Sequence, residues 1–226
     1  MSIRIAIDGP AGAGKSTISR SAAKRLGFIY IDTGALYRTV GLAATRANVE
    51  PKEGKEVDDL LTTIKVELSF NDKGEQIVLL NGEDVSGLIS TPEASMTASA
   101  ISAIPSVRAF LLDLQRDIAK TNNVIMDGRD IGTVVLPDAE VKIFLTATPE
   151  ARAQRRYKEL CEKGMDVKYE DILNDVITRD YNDSHREIAP LKQADDAVLA
   201  DTTEVDLEGS IDLILSIIKE KTNGAV

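Results

Sequence analysis

Gly9, Gly14, Lys15 and Ser16 stand in the spacing G-x-x-x-x-G-K-[ST], the pattern of a loop that cradles the phosphates of a nucleoside triphosphate. The loop residues Gly9, Pro10, Ala11, Gly12, Ala13, Gly14, Lys15, Ser16 and Thr17 would aim backbone N–H groups and a helix N-terminus at one anion. Lys15 would meet the β and γ phosphates, and the Ser16 hydroxyl a magnesium ion. The setting fits: Ile3, Ile5 and Ile7 form a β-branched strand before the loop. Ile18 to Leu26 can form a helix after it, which Gly27 can cap.

A phosphate loop alone leaves the second substrate open. No Asn-Lys-x-Asp guanine reader is present, and the chain is short for a motor or transporter ATPase. Three further clusters point to a second anionic small molecule. Asp32-Thr33-Gly34-Ala35-Leu36-Tyr37-Arg38 follows a second strand, where ligands of doubly wound sheets bind. Thr33 can cap the next helix, and Arg38 lies about one turn in. Asp127-Gly128-Arg129-Asp130-Ile131-Gly132-Thr133 follows another apolar strand, and its charges would be costly there without partners. In Arg179-Asp180-Tyr181-Asn182-Asp183-Ser184-His185-Arg186, Arg179, Asp183 and Arg186 share one helix face. Standing alone, that could be an exposed ion pair worth about 0.3–0.5 kcal/mol; His185 falls on another face and should be solvated.

Arg152, Arg155 and Arg156 follow a helix start at Thr148-Pro149-Glu150 and make one basic face. This is either an ordinary solvated face or a mobile lid that brings cations over a transferring phosphoryl group. In the second case Glu162-Lys163-Gly164-Met165-Asp166 would be its far hinge.

The elements that must hold these residues are also legible. Apolar runs at 3–7, 28–31, 124–126, 141–145 and 197–199 alternate with helical patterns, which predicts an α/β fold with a five-stranded parallel sheet covered on both faces. Val107, Leu111, Leu114 and Ile118 form one packing stripe, and Leu207, Ile211, Ile214, Leu215 and Ile218 another. The runs 65–70 and 76–80 flank an Asn71–Glu75 turn and read as an antiparallel hairpin, with a helix after Thr91-Pro92-Glu93. The expected organisation is core 1–62, a small α+β insertion 63–105, core 106–150, lid 151–167 and core 168–226. Residues from about Thr222 to Val226 should fray.

Composition excludes several classes. The 226 residues suit one core with small insertions. A net charge of -10 argues against a nucleic-acid-coating surface, and 4% aromatic residues without Trp against a stacking platform. Cys161 is the single cysteine, so no intrachain disulfide forms, and a buried or half-exposed structural thiol is expected. With His185 the one histidine, Cys161 cannot complete a zinc site. The chain opens on a strand rather than a charged segment and apolar core of a leader, and no apolar run approaches the ~18 residues of a span. A cytoplasmic protein without membrane or nucleic-acid partners is expected. No large apolar helix face is left over, which favours a monomer.

Taken together, IDGPAGAGKST at 7–17, DTGALYR at 32–38, NGEDVSGLI at 81–89, DGRDIGTVV at 127–135 and RDYNDSHREIAPL at 179–191 resemble bacterial cytidylate kinases of the long form, essentially end to end. The resemblance implies a phosphate-loop nucleoside monophosphate kinase fold and Mg-ATP-dependent phosphorylation of CMP or dCMP. It implies cytosine contacts from Ser99, Arg108 and Asp130, and sugar contacts from Arg179 and Asp183. Thr33, Arg38, Arg129 and Arg186 would hold the monophosphate; the family often has Ser where Thr33 stands. Lys15 and Arg129, with lid residues Arg155 and Arg156, would act on the transferring group. Two other readings stay open on the residues themselves: a kinase for another small acceptor, and a nucleotide-binding switch without a second substrate.

Overall fold

A computed structural model describes residues 2–226. Its central sheet is parallel and five-stranded: β1 (Arg4–Asp8), β2 (Ile29–Asp32), β6 (Val124–Gly128), β7 (Val141–Thr146) and β8 (Val198–Asp201). The spatial order is β2-β6-β1-β7-β8, so β1 lies between β6 and β7, which the chain reaches later. Alternation along each strand supplies both faces. Ile5, Ile7, Ile125, Val141, Ile143 and Leu145 pack with α1 (Lys15–Leu26) and α8 (Leu207–Lys221). Ala6, Ile31, Val124 and Met126 pack on the other face, where α5 (Pro105–Thr121) covers them.

Between β2 and β6 lie α2 (Thr33–Arg46), α3 (Lys55–Thr63), the strands β3 (Val66–Phe70), β4 (Gln76–Leu80) and β5 (Glu83–Asp84), α4 (Pro92–Ile101) and α5. The hairpin β3–β4 is antiparallel in the expected register region, with Phe70 opposite Gln76. This part has its own apolar cluster, which draws Leu36 and Val40 from α2, Val57 and Leu60 from α3, Val78 and Leu80 from β4 and Ile101 from α4. On the far side, α6 (Pro149–Glu162) and α7 (Tyr169–His185) share a third small cluster of Ala153, Leu160 and Ile172, flanked by Tyr157 and Tyr169 in an edge-on pair.

Several local expectations change. α3 was not anticipated. Asp32, not Thr33, caps α2, its side chain accepting from the Ala35 N–H at 3.1 Å; the Thr33 hydroxyl instead donates to the Asp127 carbonyl at 2.8 Å. Leu207 is exposed, while Ile211, Ile214 and Ile218 of its stripe are buried. Cys161 is exposed because it points away from the small α6–α7 cluster. At the C-terminus, Gly224, at φ 73, donates to the Lys219 carbonyl and closes α8, and Val226 packs against the core. Arg186 lies just past α7 in extended backbone (φ -65, ψ 143), so it leaves the helix face shared by Arg179 and Asp183.

Candidate active site

The phosphate loop and the clusters after β2, after β6 and on α7 converge on the carboxyl ends of the parallel strands. After β1 the chain turns through Gly9 (φ 151), Gly12 (φ 74) and Gly14 (φ 88) into α1. At Gly9 a Cβ would lie 1.9 Å from the Leu145 carbonyl oxygen, so the loop can pass β7 only as glycine. The buried Lys15 ammonium donates to the carbonyls of Gly9 and Pro10, both at 2.7 Å. Burial, and next the charge of Arg129, pushes its pKa well down.

Beside it the Ser16 hydroxyl donates to Asp127 Oδ2 at 2.9 Å, and Tyr30 OH to Asp127 Oδ1 at 3.2 Å. Burial pushes Asp127 up to about 7, and the nearby Asp32 adds to the rise. Asp8, the last residue of β1, is also buried. Its oxygens accept the N–H groups of Ile131 and Gly132, each at 2.7 Å. Burial pushes Asp8 up to about 6, against the pull of those two amides.

Facing the loop is an arginine-lined pocket. Arg38 pairs with Asp32 at 2.7 Å, and Arg129 Nε with Asp183 at 2.7 Å. Arg108 pairs with the buried Asp130 and donates to the Ser102 carbonyl at 3.1 Å; Arg186 approaches the other Asp130 oxygen at 3.4 Å. Arg186 also reaches Ser102 Oγ at 3.3 Å, and Ser102 Oγ donates to the Ser99 carbonyl at 2.9 Å, which ties α4 to the same corner. Nε of Arg38 and Nε of Arg179 are buried without a hydrogen-bond partner. Burial raises the pKa of Asp130 although Arg108 and Arg186 oppose it. Burial also works against the charge of Asp183, but Arg129, Arg179 and Arg186 outweigh it and hold that carboxyl below its ordinary range.

Arg38, Arg108, Arg129, Arg179 and Arg186 thus face Asp32, Asp130 and Asp183. Positive charge is in excess, and the field of Arg129 and Arg179 reaches Lys15. Such an arrangement is matched by a dianion placed between the pocket and the loop.

The family is decided by comparison with known proteins. A family model for cytidylate kinase matches residues 5–220. The chain belongs to the cytidylate kinase family. The cytidylate kinase of Caldicellulosiruptor bescii is 51% identical over 215 residues, covering 95% of each chain. That of Thermosipho melanesiensis is 49% identical over 221 residues, 98% of this chain and 99% of its own. One solved structure, an uncharacterized protein from Eubacterium ventriosum, is 12% identical with a TM-score of 0.51 over 96% of this chain and 99% of its own, a likeness of fold.

Within this cytidylate kinase family member, the arginines of α6 divide rather than form one basic face. Arg152 is 2% exposed. It pairs with Asp180 of α7 and donates to the carbonyls of Ala147 and Ala11, both at 2.9 Å, because its side of α6 packs onto the phosphate loop. Arg155 donates to the Thr202 carbonyl, and Arg156 pairs with Glu159 at 2.9 Å on an exposed face. The expected ion pair between Arg179 and Asp183 gives way to the Arg129–Asp183 pair. His185 is exposed and stacked on Tyr181, 4.1 Å between ring centroids. Sequence reasoning gave no role to Asp8, placed Asp127 in the acceptor-side cluster rather than beside Ser16, and offered Arg152 as a lid cation rather than the buried tie between α7 and the phosphate loop that it is. For Asp127 a signal existed: an acid ending the strand beside a phosphate-loop strand is the usual partner of the loop Ser in holding a cation. No single helix among the described residues is long and apolar enough to cross a membrane.

Proposed function

We infer that this chain is an ATP-dependent cytidylate kinase, transferring the γ-phosphoryl group of ATP to CMP or dCMP and releasing ADP with CDP or dCDP. The observation that carries the reading is the placement of a phosphate loop at Lys15 opposite an arginine pocket whose cationic excess suits a phosphate ester. In this reading the triphosphate lies on Gly9–Thr17, and Lys15 exchanges its two carbonyl partners for phosphate oxygens. Thr33, Arg38, Arg129 and Arg186 hold the monophosphate, and Arg179 and Asp183 the sugar.

Asp130, with Arg108 beside it and Ser99 joined to the same corner through Ser102, reads the cytosine edge. An ionised carboxylate accepts from the exocyclic amino group of cytosine and repels the carbonyl that uracil presents there. A buried carboxylate left unmatched disfavours the wrong base by on the order of 10³-fold. Arg186 already touches Asp130, so it joins the base corner to the phosphate pocket.

A general base is not required. The attacking oxygen belongs to an anionic phosphate, and it displaces ADP at the γ phosphorus while cations hold the charge in place. Ser16 and Asp127 suit a magnesium ion: a buried carboxyl with its pKa raised to about 7, bonded to the loop hydroxyl, gains a neutralising partner. When bound, magnesium supplies charge neutralisation on the β and γ phosphates. Arg155 and Arg156 have other partners here, so their approach to the transferring group requires movement of α6. We assign 63–105 and 151–167 as the segments that close and exclude water, and the working form as a monomer.

The test is coupled ADP release with CMP, dCMP, UMP and AMP in turn. Release with the two cytidine nucleotides well above the others is expected. Equal release with AMP would point to another acceptor, and release independent of any acceptor to a nucleotide switch.

A further inference from the structure

Asp8 ends β1 immediately before the phosphate loop, yet its side chain does not serve the triphosphate. Both carboxylate oxygens are taken by amides of the other loop, Ile131 N–H and Gly132 N–H, each at 2.7 Å. Those amides open a single π-helical turn, Ile131–Val135, whose first flanking residue is Asp130. Asp130 has φ -144 and ψ 27, outside both helix and strand, so its backbone needs an external hold. Its side chain carries the contacts of the base corner, to Arg108 and Arg186.

On the Gly9 side, Asp8 is fixed by the strand pairing Asp8 with Gly128 and Phe144, and by the close passage of Gly9 beneath the Leu145 carbonyl. The position is thus rigid on one side and grips the turn on the other.

We propose that Asp8 is a positioning residue for base selection: its carboxylate holds the Ile131 and Gly132 amides so that Asp130 presents its side chain to the acceptor base. This rests on the cytidylate kinase reading above and adds to it a residue whose two carboxylate oxygens are both taken by backbone amides. It also ties the base-reading turn to the strand that carries the donor loop, so the two sites share one rigid reference.

The experiment is steady-state kinetics of Asp8→Asn with CMP, UMP and ATP varied separately. An Asn side chain keeps the shape but offers one acceptor and one donor, so one of the two amides meets another donor. KM for CMP should rise about tenfold, and the kcat/KM ratio of CMP over UMP should fall about tenfold. KM for ATP should change by less than about twofold. A residue that only stabilises the fold would scale both acceptors down by one factor and leave the ratio intact. That result overturns the proposal.

Asp8→Glu probes the same contact with the charge kept. The added methylene displaces the carboxylate, so the Ile131 and Gly132 amides, now held at 2.7 Å each, must shift with it or lose it. A folded Asp8→Glu with unchanged KM for CMP and unchanged base ratio also overturns the proposal, and it decides the matter if Asp8→Asn does not fold. Wild-type protein inactive on CMP would defeat the functional reading itself. An active wild type with base-indifferent variants would defeat this assignment alone.

Discussion

Replacing Arg179 by Met should make the free protein more stable and the enzyme worse. The Arg179 Nε is buried without a hydrogen-bond partner. Burial, and next the like charge of Arg129, pulls its pKa below the ordinary value, and Arg38 adds to the repulsion. The opposite charge of Asp183 is already engaged by Arg129 at 2.7 Å. An unmatched buried donor costs about 1–3 kcal/mol. The side chain is only half-buried, so the low end applies, about 1–2 kcal/mol. Met keeps the length and the helix propensity of α7 while removing that cost. At this chain length 1 kcal/mol moves Tm by about 2–4 °C, so the unliganded variant should melt about 2–8 °C higher. Loss of a charge-assisted contact to the nucleotide should raise KM for CMP about ten- to a hundredfold. Scanning calorimetry with and without CMP reads both effects: the variant starts higher and gains less from CMP. A variant that melts about 2 °C or more below wild type with unchanged KM for CMP would refute the argument, because Arg179 would then be holding the fold.

Three further outcomes follow from the same geometry. Asp127 and Asp8 have pKa values raised to about 7 and about 6. The folded state therefore holds protons that the unfolded state has released, and the contribution of these groups to stability falls as pH rises through that range. Melting of the unliganded protein should be higher at pH 5 than at pH 8, and Asp127→Asn should flatten the difference; a pH series by thermal melting checks this. Arg152→Ala should cost ~3 kcal/mol in chemical denaturation, since Asp180 and the Ala147 and Ala11 carbonyls all lose their donor. Lys15→Ala should keep the circular dichroism spectrum and lose roughly 10²-fold or more in turnover; wild-type turnover would remove Lys15 from the mechanism.

The sheet and the loops were readable because their signals are local. Strands β1, β6 and β7 are short apolar runs ending in glycine-rich or charged turns, and the β3–β4 hairpin has an obvious turn between two apolar runs. α3 escaped notice because only Val57 and Leu60 of its nine residues are buried, and charged residues precede it. The fate of charged side chains was less accessible. Arg152, Arg155 and Arg156 share a sequence-level face, but which of them is buried depends on how α6 meets Ala11 and Asp180. That is set by packing of distant segments. Asp8 and Asp127 read as strand ends; only the pairing of β1 with β6, which sets Ile7 opposite Asp127, shows that they serve neighbouring loops. Arg186 was legible as a charge but not as a residue beyond the end of α7.

Arg179 and Asp183 are carried by α7, which is seated on α6 through a private apolar cluster. Arg152 fastens that same helical pair to Ala11 of the phosphate loop. The two helices and the donor loop are thus linked through a single guanidinium: a rigid tilt of α6 and α7 would carry Arg179, Asp183 and the Ala11 turn together.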